Sequence, residues 1–188
     1  MSFRQIIKLV NKFEIKLAQI DSNVELLKGT VTVTSADLSN AQQQGEVTLN
    51  QIDPLDAERL INNRINRDGP TSHMTLIGPK ELRDLVASKF KSMTEEEKQG
   101  QLRKIVEKNI EQQILSTINS MFLADWKVEG LGKAEKEDNV AYFMVVSWKT
   151  GNLIREQLGL PPRDFHVTVG FGDAGDIHGV NKGVTSLV

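Results

Sequence analysis

An α+β fold built on antiparallel sheet is predicted by three features of these 188 residues. Several long stretches repeat apolar residues at spacings of three and four, as helices do. Several short ones concentrate β-branched and aromatic residues between turn signals, as strands do. The two kinds are mixed without the regular strand–helix alternation that parallel sheets require. A chain of this length with 39% hydrophobic residues buries a substantial core. No linker, repeat or low-complexity tract divides it, so residues 1–188 are expected to form a single domain.

Phe3, Ile6, Ile7, Val10, Phe13, Leu17 and Ile20 trace one helical face, with Ser2 as its cap and Asp21, Ser22 and Asn23 as its stop. Core packing is the ordinary reading of such a face; the interspersed lysines also suit a membrane surface or a partner. Residues 29–35 alternate valine with threonine, which predicts a strand with one wet face. Residues 45–52 (GEVTLNQI) read as a second strand, joined to the first through the polar AQQQG. Pro54 opens a short helix over 54–65, with Leu55, Leu60, Ile61 and Ile65 as its apolar stripe. The Asp-Gly-Pro content of 66–70 makes a turn that releases into a strand over 71–78.

Pro79 starts a helix over 79–90. The next is introduced by a capping box, Thr94 with Glu97, and its face continues through Leu102, Ile105, Val106, Ile110, Ile114, Leu115 and Ile118. Two apolar, aromatic runs at 120–132 and 139–149 predict a hairpin or adjacent strands joined by the charged KAEKED. A short helix from Asn152 to Leu160 is stopped by Pro161 and Pro162. The strand DFHVTVGF (164–171) follows, and then a Gly-rich irregular tail.

Composition narrows the chemistry. With no cysteine, a disulfide framework, a thiolate zinc site and a cysteine nucleophile are excluded. A balance of 23 basic against 25 acidic residues argues against a non-specific polyanion binder, while a small anion held by local cations stays open. No run of apolar residues spans a bilayer and no signal-peptide pattern is present, so a cytoplasmic chain with no membrane partner is expected.

Two of the three histidines share one local pattern, His73-Met74-Thr75 and His166-Val167-Thr168, each within a predicted strand. Residues i and i+2 of a strand face the same side, so each histidine is paired with a hydroxyl while Met74 and Val167 face the core. Histidine changes charge near neutral pH, which suits two of them to base and acid roles in one site. A threonine hydroxyl donates to a phosphate oxygen without adding charge. Two facing pairs therefore suit a phosphodiester, and the chemistry requires neither metal nor cofactor.

These motifs carry a family resemblance. TSHMTLIGPKEL (71–82) and LGLPPRDFHVTVGF (158–171) with the later DIHGV resemble the signatures of the two-histidine (2H) phosphoesterase superfamily. They are most similar to its RNA-repair-associated, Swiss Army Knife branch. The resemblance implies a bilobal fold of two antiparallel-sheet lobes with pseudo-twofold symmetry, helices outside and the motifs lining a central cleft. It also implies hydrolysis of 2′,3′-cyclic phosphates or related phosphodiesters of nucleotides or RNA ends by a monomer. His73 and His166 carry over as catalytic and Thr75 and Thr168 as phosphate-binding. One departure is Thr71-Ser72, where the family pattern implies a bulkier or aromatic residue before the histidine.

Arg67, Arg163 and His178 are further candidate substrate contacts, although an ordinary solvated role is the simpler reading of each arginine and a hydrogen-bonded loop histidine explains His178 equally well. Lys80 has the same two readings. Tyr142, Phe143 and Trp148 are expected in the core or hairpin, with base stacking as the alternative for one of them. The charged EEEK (95–98) reads as a solvated face. Two other functions stand beside the phosphodiesterase: a non-catalytic nucleotide or RNA-end binding module, and an interaction protein using the N-terminal helix.

Overall fold

In a computed structural model, residues 22–27, 29–90 and 100–188 are described. The predicted N-terminal helix, the Thr94–Glu97 capping box and the EEEK run lie outside these residues. Six strands form one antiparallel sheet: β1 (Asn23–Leu27), β2 (Thr30–Thr34), β3 (Met74–Ile77), β4 (Lys127–Lys136), β5 (Asn139–Ser147) and β6 (Phe165–Phe171). Their order across the sheet is β1-β2-β3-β6-β5-β4. The two predicted lobes therefore share a continuous sheet, in which β3 and β6 join the halves β1-β2-β3 and β6-β5-β4. Five helices are described: α1 (Ala36–Ile52), α2 (Ala57–Asp68), α3 (Pro79–Phe90), α4 (Gly100–Met121) and α5 (Lys149–Gln157).

One apolar cluster takes Leu38 and Leu49 from α1, Leu60 from α2, Leu82 from α3, Ile114 and Ile118 from α4 and Ile154 from α5. These meet Val33, Met74, Leu76, Met144 and Val167 on one face of the sheet. The opposite face carries the motif side chains and a smaller apolar cluster, Ala141, Phe143, Val145, Phe171 and Ile177, under the C-terminal tail. No described helix is long and apolar enough to cross a membrane.

Several sequence expectations are corrected. Residues 45–52 are the second half of α1, not a strand, and AQQQG belongs to the same helix. Ser35 caps α1 by accepting from the Leu38 amide at 3.1 Å. The buried positions Leu38, Ala41, Gln42, Gly45 and Leu49 have helical spacing, while Val47 and Ile52 are exposed. A strand at 23–27, unpredicted, pairs with β2 across a turn in which Gly29 has φ +77°. On α2, Leu60 is buried but Leu55 precedes the helix and is 95% exposed, so the real stripe is Ala57, Leu60 and Arg64. The charged KAEK is strand, and the β4–β5 turn is reduced to Glu137 and Asp138. Residues 120–126 finish α4 and lead into β4, and Ile105 of α4 is exposed.

Buried polar contacts fix the sheet to the helices. Gln42 Nε2 donates to the Thr168 carbonyl at 3.0 Å. That carbonyl lies beside a bulge, since Phe143 pairs with Thr168 but Tyr142 with Gly170, which leaves Val169 as the extra residue. Arg155 on α5 is fully buried and donates to the carbonyls of Leu76 (2.7 Å) and Pro161 (2.8 Å) and to Glu81 Oε1 (2.6 Å). Glu81 in turn accepts from the Gly78 amide at 2.8 Å, closing the start of α3. Burial alone would raise the Glu81 carboxyl, but Arg155, the Gly78 amide and Arg163 outweigh it and hold it below the usual carboxylate range.

Two stability outcomes are expected. Gly45→Ala in an open helix would stabilise by about 1 kcal/mol. Here a Cβ meets Val169 Cγ2 at 2.6 Å and Met144 Sδ at 2.8 Å, so a loss of about 1–3 kcal/mol is expected in urea unfolding. A raised midpoint would contradict the docking of this helix on β5 and β6. Glu81→Ala strands a buried guanidinium and should cost about 3 kcal/mol or more. Lys80→Ala, which breaks only the exposed Lys80–Asp84 pair, should cost about 0.5 kcal/mol or less. Equal losses from the two variants would refute the organising role given to the buried pair.

Candidate active site

Met74 of β3 lies opposite Val167 of β6 in an antiparallel register. Extending that register by one residue on each side sets His73 opposite Thr168 and Thr75 opposite His166. Met74 and Val167 point into the helix-side core, so the other four side chains share the open face. The histidines lie on one diagonal of this square and the threonines on the other, with diagonal spacings of about 7–8 Å. All four line a cavity of about 330 Å³. Thr32 of β2, paired with Thr75, and Thr30 extend the hydroxyl-bearing wall.

His166 has the more elaborate surroundings. Val145 of β5 lies opposite it, and the Phe143 ring meets its imidazole edge-on at 5.5 Å. The C-terminal tail supplies the rest. It is pinned along β4 by a bridge between Gly132 and Leu187 and by the Val188 amide on the Leu131 carbonyl. Gly183 allows the tail to approach Asp164, whose carboxylate a Cβ there would meet at 2.7 Å. This fold-back brings Lys182 Nζ to 3.4 Å from His166 Nε2 and 2.7 Å from Asp176 Oδ1. Both members of that ion pair are buried, with side chains 6% and 7% exposed.

The electrostatic consequence is directional. Burial, then the adjacent Lys182 ammonium, disfavours a charged imidazole at His166; Asp176 opposes this, and the net result is a pKa pushed down to about 3. His166 is therefore neutral at pH 7. Burial alone would raise the Asp176 carboxyl, and Lys182 with its hydrogen bond outweighs that to hold it below the usual range.

The other sequence candidates divide. Arg67, Arg163 and His178 all line the cavity. Arg67 is held by two hydrogen bonds to Asp68 (2.7 and 2.6 Å) and lies 4.2 Å over the Phe171 ring, which the β6 bulge turns onto this face. Arg163 stands 3.6 Å from Glu81, and its burial lowers its pKa from the ordinary arginine value. Lys80 points to Asp84, 83% exposed and outside the cavity lining. Tyr142 faces the helices and donates to Asp53 at 3.4 Å, while Trp148 packs in a core cluster with Phe122, Trp126 and Phe165. Phe143 lies on the motif face but is covered by the tail. Ser72, where a bulkier residue is expected, is buried and donates to Ser39 Oγ on α1 at 2.9 Å.

Asp68, Asp176, Lys182 and the Glu81–Arg155 pair were not legible as site residues. The local hint is the charged Asp176 and Lys182 inside a Gly-rich tail that also carries Asp173 and His178. Among the described residues, no group of three or more His, Asp or Glu side chains is placed to hold a metal ion.

No curated protein and no solved structure matches the chain. Residues 36–178 match the family described as the Swiss Army Knife, 2H phosphoesterase domain. That stretch runs from the start of α1 to His178 and includes both His-x-Thr strands, which meet at the centre of the sheet. By this match the chain belongs to the Swiss Army Knife family of 2H phosphoesterases.

Proposed function

We propose that this phosphoesterase hydrolyses 2′,3′-cyclic phosphates, or related phosphodiesters of nucleotides and RNA ends, by two-histidine acid–base catalysis without a metal ion. The observation that carries the reading is the β3–β6 register, which supports a square of two histidines and two threonines around one cavity. Displacement at phosphorus needs an attacking and a leaving oxygen on opposite sides, and diagonal histidines reach both.

His166 is the base and His73 the acid. A neutral imidazole takes a proton from water, and the enclosed, cation-flanked His166 is neutral at working pH. The water oxygen bonds to phosphorus as its proton passes to His166. The bond from phosphorus to one ribose oxygen breaks, and that oxygen leaves with the electron pair and takes a proton from His73. The product is a phosphomonoester beside a free hydroxyl; exchange with solvent resets both imidazoles. Thr75 and Thr168 donate to the non-bridging oxygens, whose charge grows in the transition state. The phosphate anion also raises the proton affinity of His166, bringing the base closer to its working range.

Three outcomes are expected on a 2′,3′-cyclic nucleotide. His73→Ala and His166→Ala should each lower kcat by about 10²–10⁴-fold. Affinity for the cyclic nucleotide with no product from the wild type would favour a binding module instead. Activity should persist in EDTA, and its loss there would contradict the metal-free mechanism. The base works only when neutral, so kcat/KM falls as pH drops through the free-enzyme pKa of His166. The acid limb is therefore expected well below the ordinary histidine value of about 6.5. An acid limb that does not coincide with the titration of His166 itself would remove His166 from the base role.

A further inference from the structure

We propose that Lys182 is a positioning residue, which holds His166 with an unprotonated Nε2 by donating to it from a buried ammonium anchored on Asp176. The inference rests on the two-histidine reading and adds a device that fixes which histidine is the base.

The geometry is specific. Lys182 is almost fully buried, and its Nζ donates to Asp176 Oδ1 at 2.7 Å and stands 3.4 Å from His166 Nε2. An ammonium has donors only, so the nitrogen it faces must act as acceptor, which places the ring proton on Nδ1. Its third neighbour is the Phe143 ring, 5.3 Å away, which favours the cation at that position. At 3.4 Å the Lys–His contact is long for a hydrogen bond. The ammonium can therefore release Nε2 and stay on Asp176 when the proton from water takes that lone pair. Lys182 does not line the cavity, so its effect on substrate passes through His166.

The other charged groups around His166 do not duplicate this role. Arg163, before β6, also disfavours a charged imidazole, less strongly than Lys182 does. Across the cavity stand Arg67 with Asp68 from the end of α2, His73 beside β3 and His178 in the tail. β5 presents Val145 and Phe143, which do not titrate. Lys182 is thus the cation, among the described groups, whose Nζ stands 3.4 Å from the imidazole.

The test combines nuclear magnetic resonance with kinetics on the full chain. In the wild type, ¹⁵N shifts of His166 are expected to show the Nδ1–H tautomer and a neutral ring down to well below pH 6. An Nε2–H tautomer, or titration in the ordinary histidine range, overturns the proposal even if no variant folds. In Lys182→Met, which keeps the apolar stem over Phe143, His166 should titrate higher, by about one to three pH units. The acid limb of kcat/KM should move with it, and Lys182→Arg should restore both. A Lys182→Met enzyme that folds but keeps the wild-type acid limb also overturns it. The two readings fail separately. A His166→Ala enzyme with near-wild-type turnover removes the base role, whatever the titration shows. An ordinary His166 titration, with both histidines essential, removes only the role of Lys182.

Discussion

The antiparallel contact between β3 and β6 is the constraint from which the cleft follows. It is short, with Met74 opposite Val167 as its paired residues. Both side chains are fully buried on the helix-side face, and the pleat then turns the flanking residues to the other side. A slip of one residue would turn each histidine into the apolar layer, so burial of Met74 and Val167 fixes the register. Helix-borne polar groups reinforce it from behind. Arg155 bonds to carbonyls at the end of β3 and before β6, and Gln42 bonds to the carbonyl of Thr168 itself.

A buried ion pair is seldom a source of stability, because desolvation offsets most of the attraction. Two such pairs flank this cleft: Glu81–Arg155 at its α3 end and Asp176–Lys182 within the tail. They differ in what surrounds them. Arg155 spends its remaining donors on backbone carbonyls, so its role is to join α3, α5 and the strands. Lys182 faces an imidazole nitrogen instead, so its burial changes the chemistry of a side chain in the cleft. An apolar residue would fill that space at less electrostatic cost, but it would not distinguish the two ring nitrogens of His166.

What the sequence disclosed depended on the range of the interactions involved. The His-x-Thr pairs were visible because a strand repeats every two residues, so motif and face follow from three consecutive positions. The 79–90 helix was visible through Pro79 and its periodic face, and the structure has it over Pro79–Phe90. Residues 45–52 misled for a tertiary reason. Their β-branched Val47, Thr48 and Ile52 suggested a strand, yet Val47 and Ile52 are exposed, and the helix docks through Leu38 and Leu49 with Gln42 and Gly45 between them. A polar side chain and a missing one carry no hydrophobic signal. Lys182 and Asp176 were hidden for a related reason: only the fold-back of the tail along β4 brings them to His166.

Charge balance in the cleft bears on the proposed substrate. Its carboxylates are committed: Asp68 to Arg67, Asp176 to Lys182, and the adjoining Glu81 to Arg155 and Arg163. An entering phosphate therefore meets cations already partly neutralised, and cannot draw on the large counterion release that drives binding to long polyanions. Affinity has to come from short-range donors, which the threonines of β2, β3 and β6 are placed to supply. A cavity of about 330 Å³ lies at the lower end of the roughly 300–1,000 Å³ range of small-molecule sites. Size and charge together favour a single nucleotide or a strand terminus over a length of nucleic acid. That preference agrees with the net charge of −2 across the whole chain, and it rests on where the carboxylates are paired rather than on how many there are.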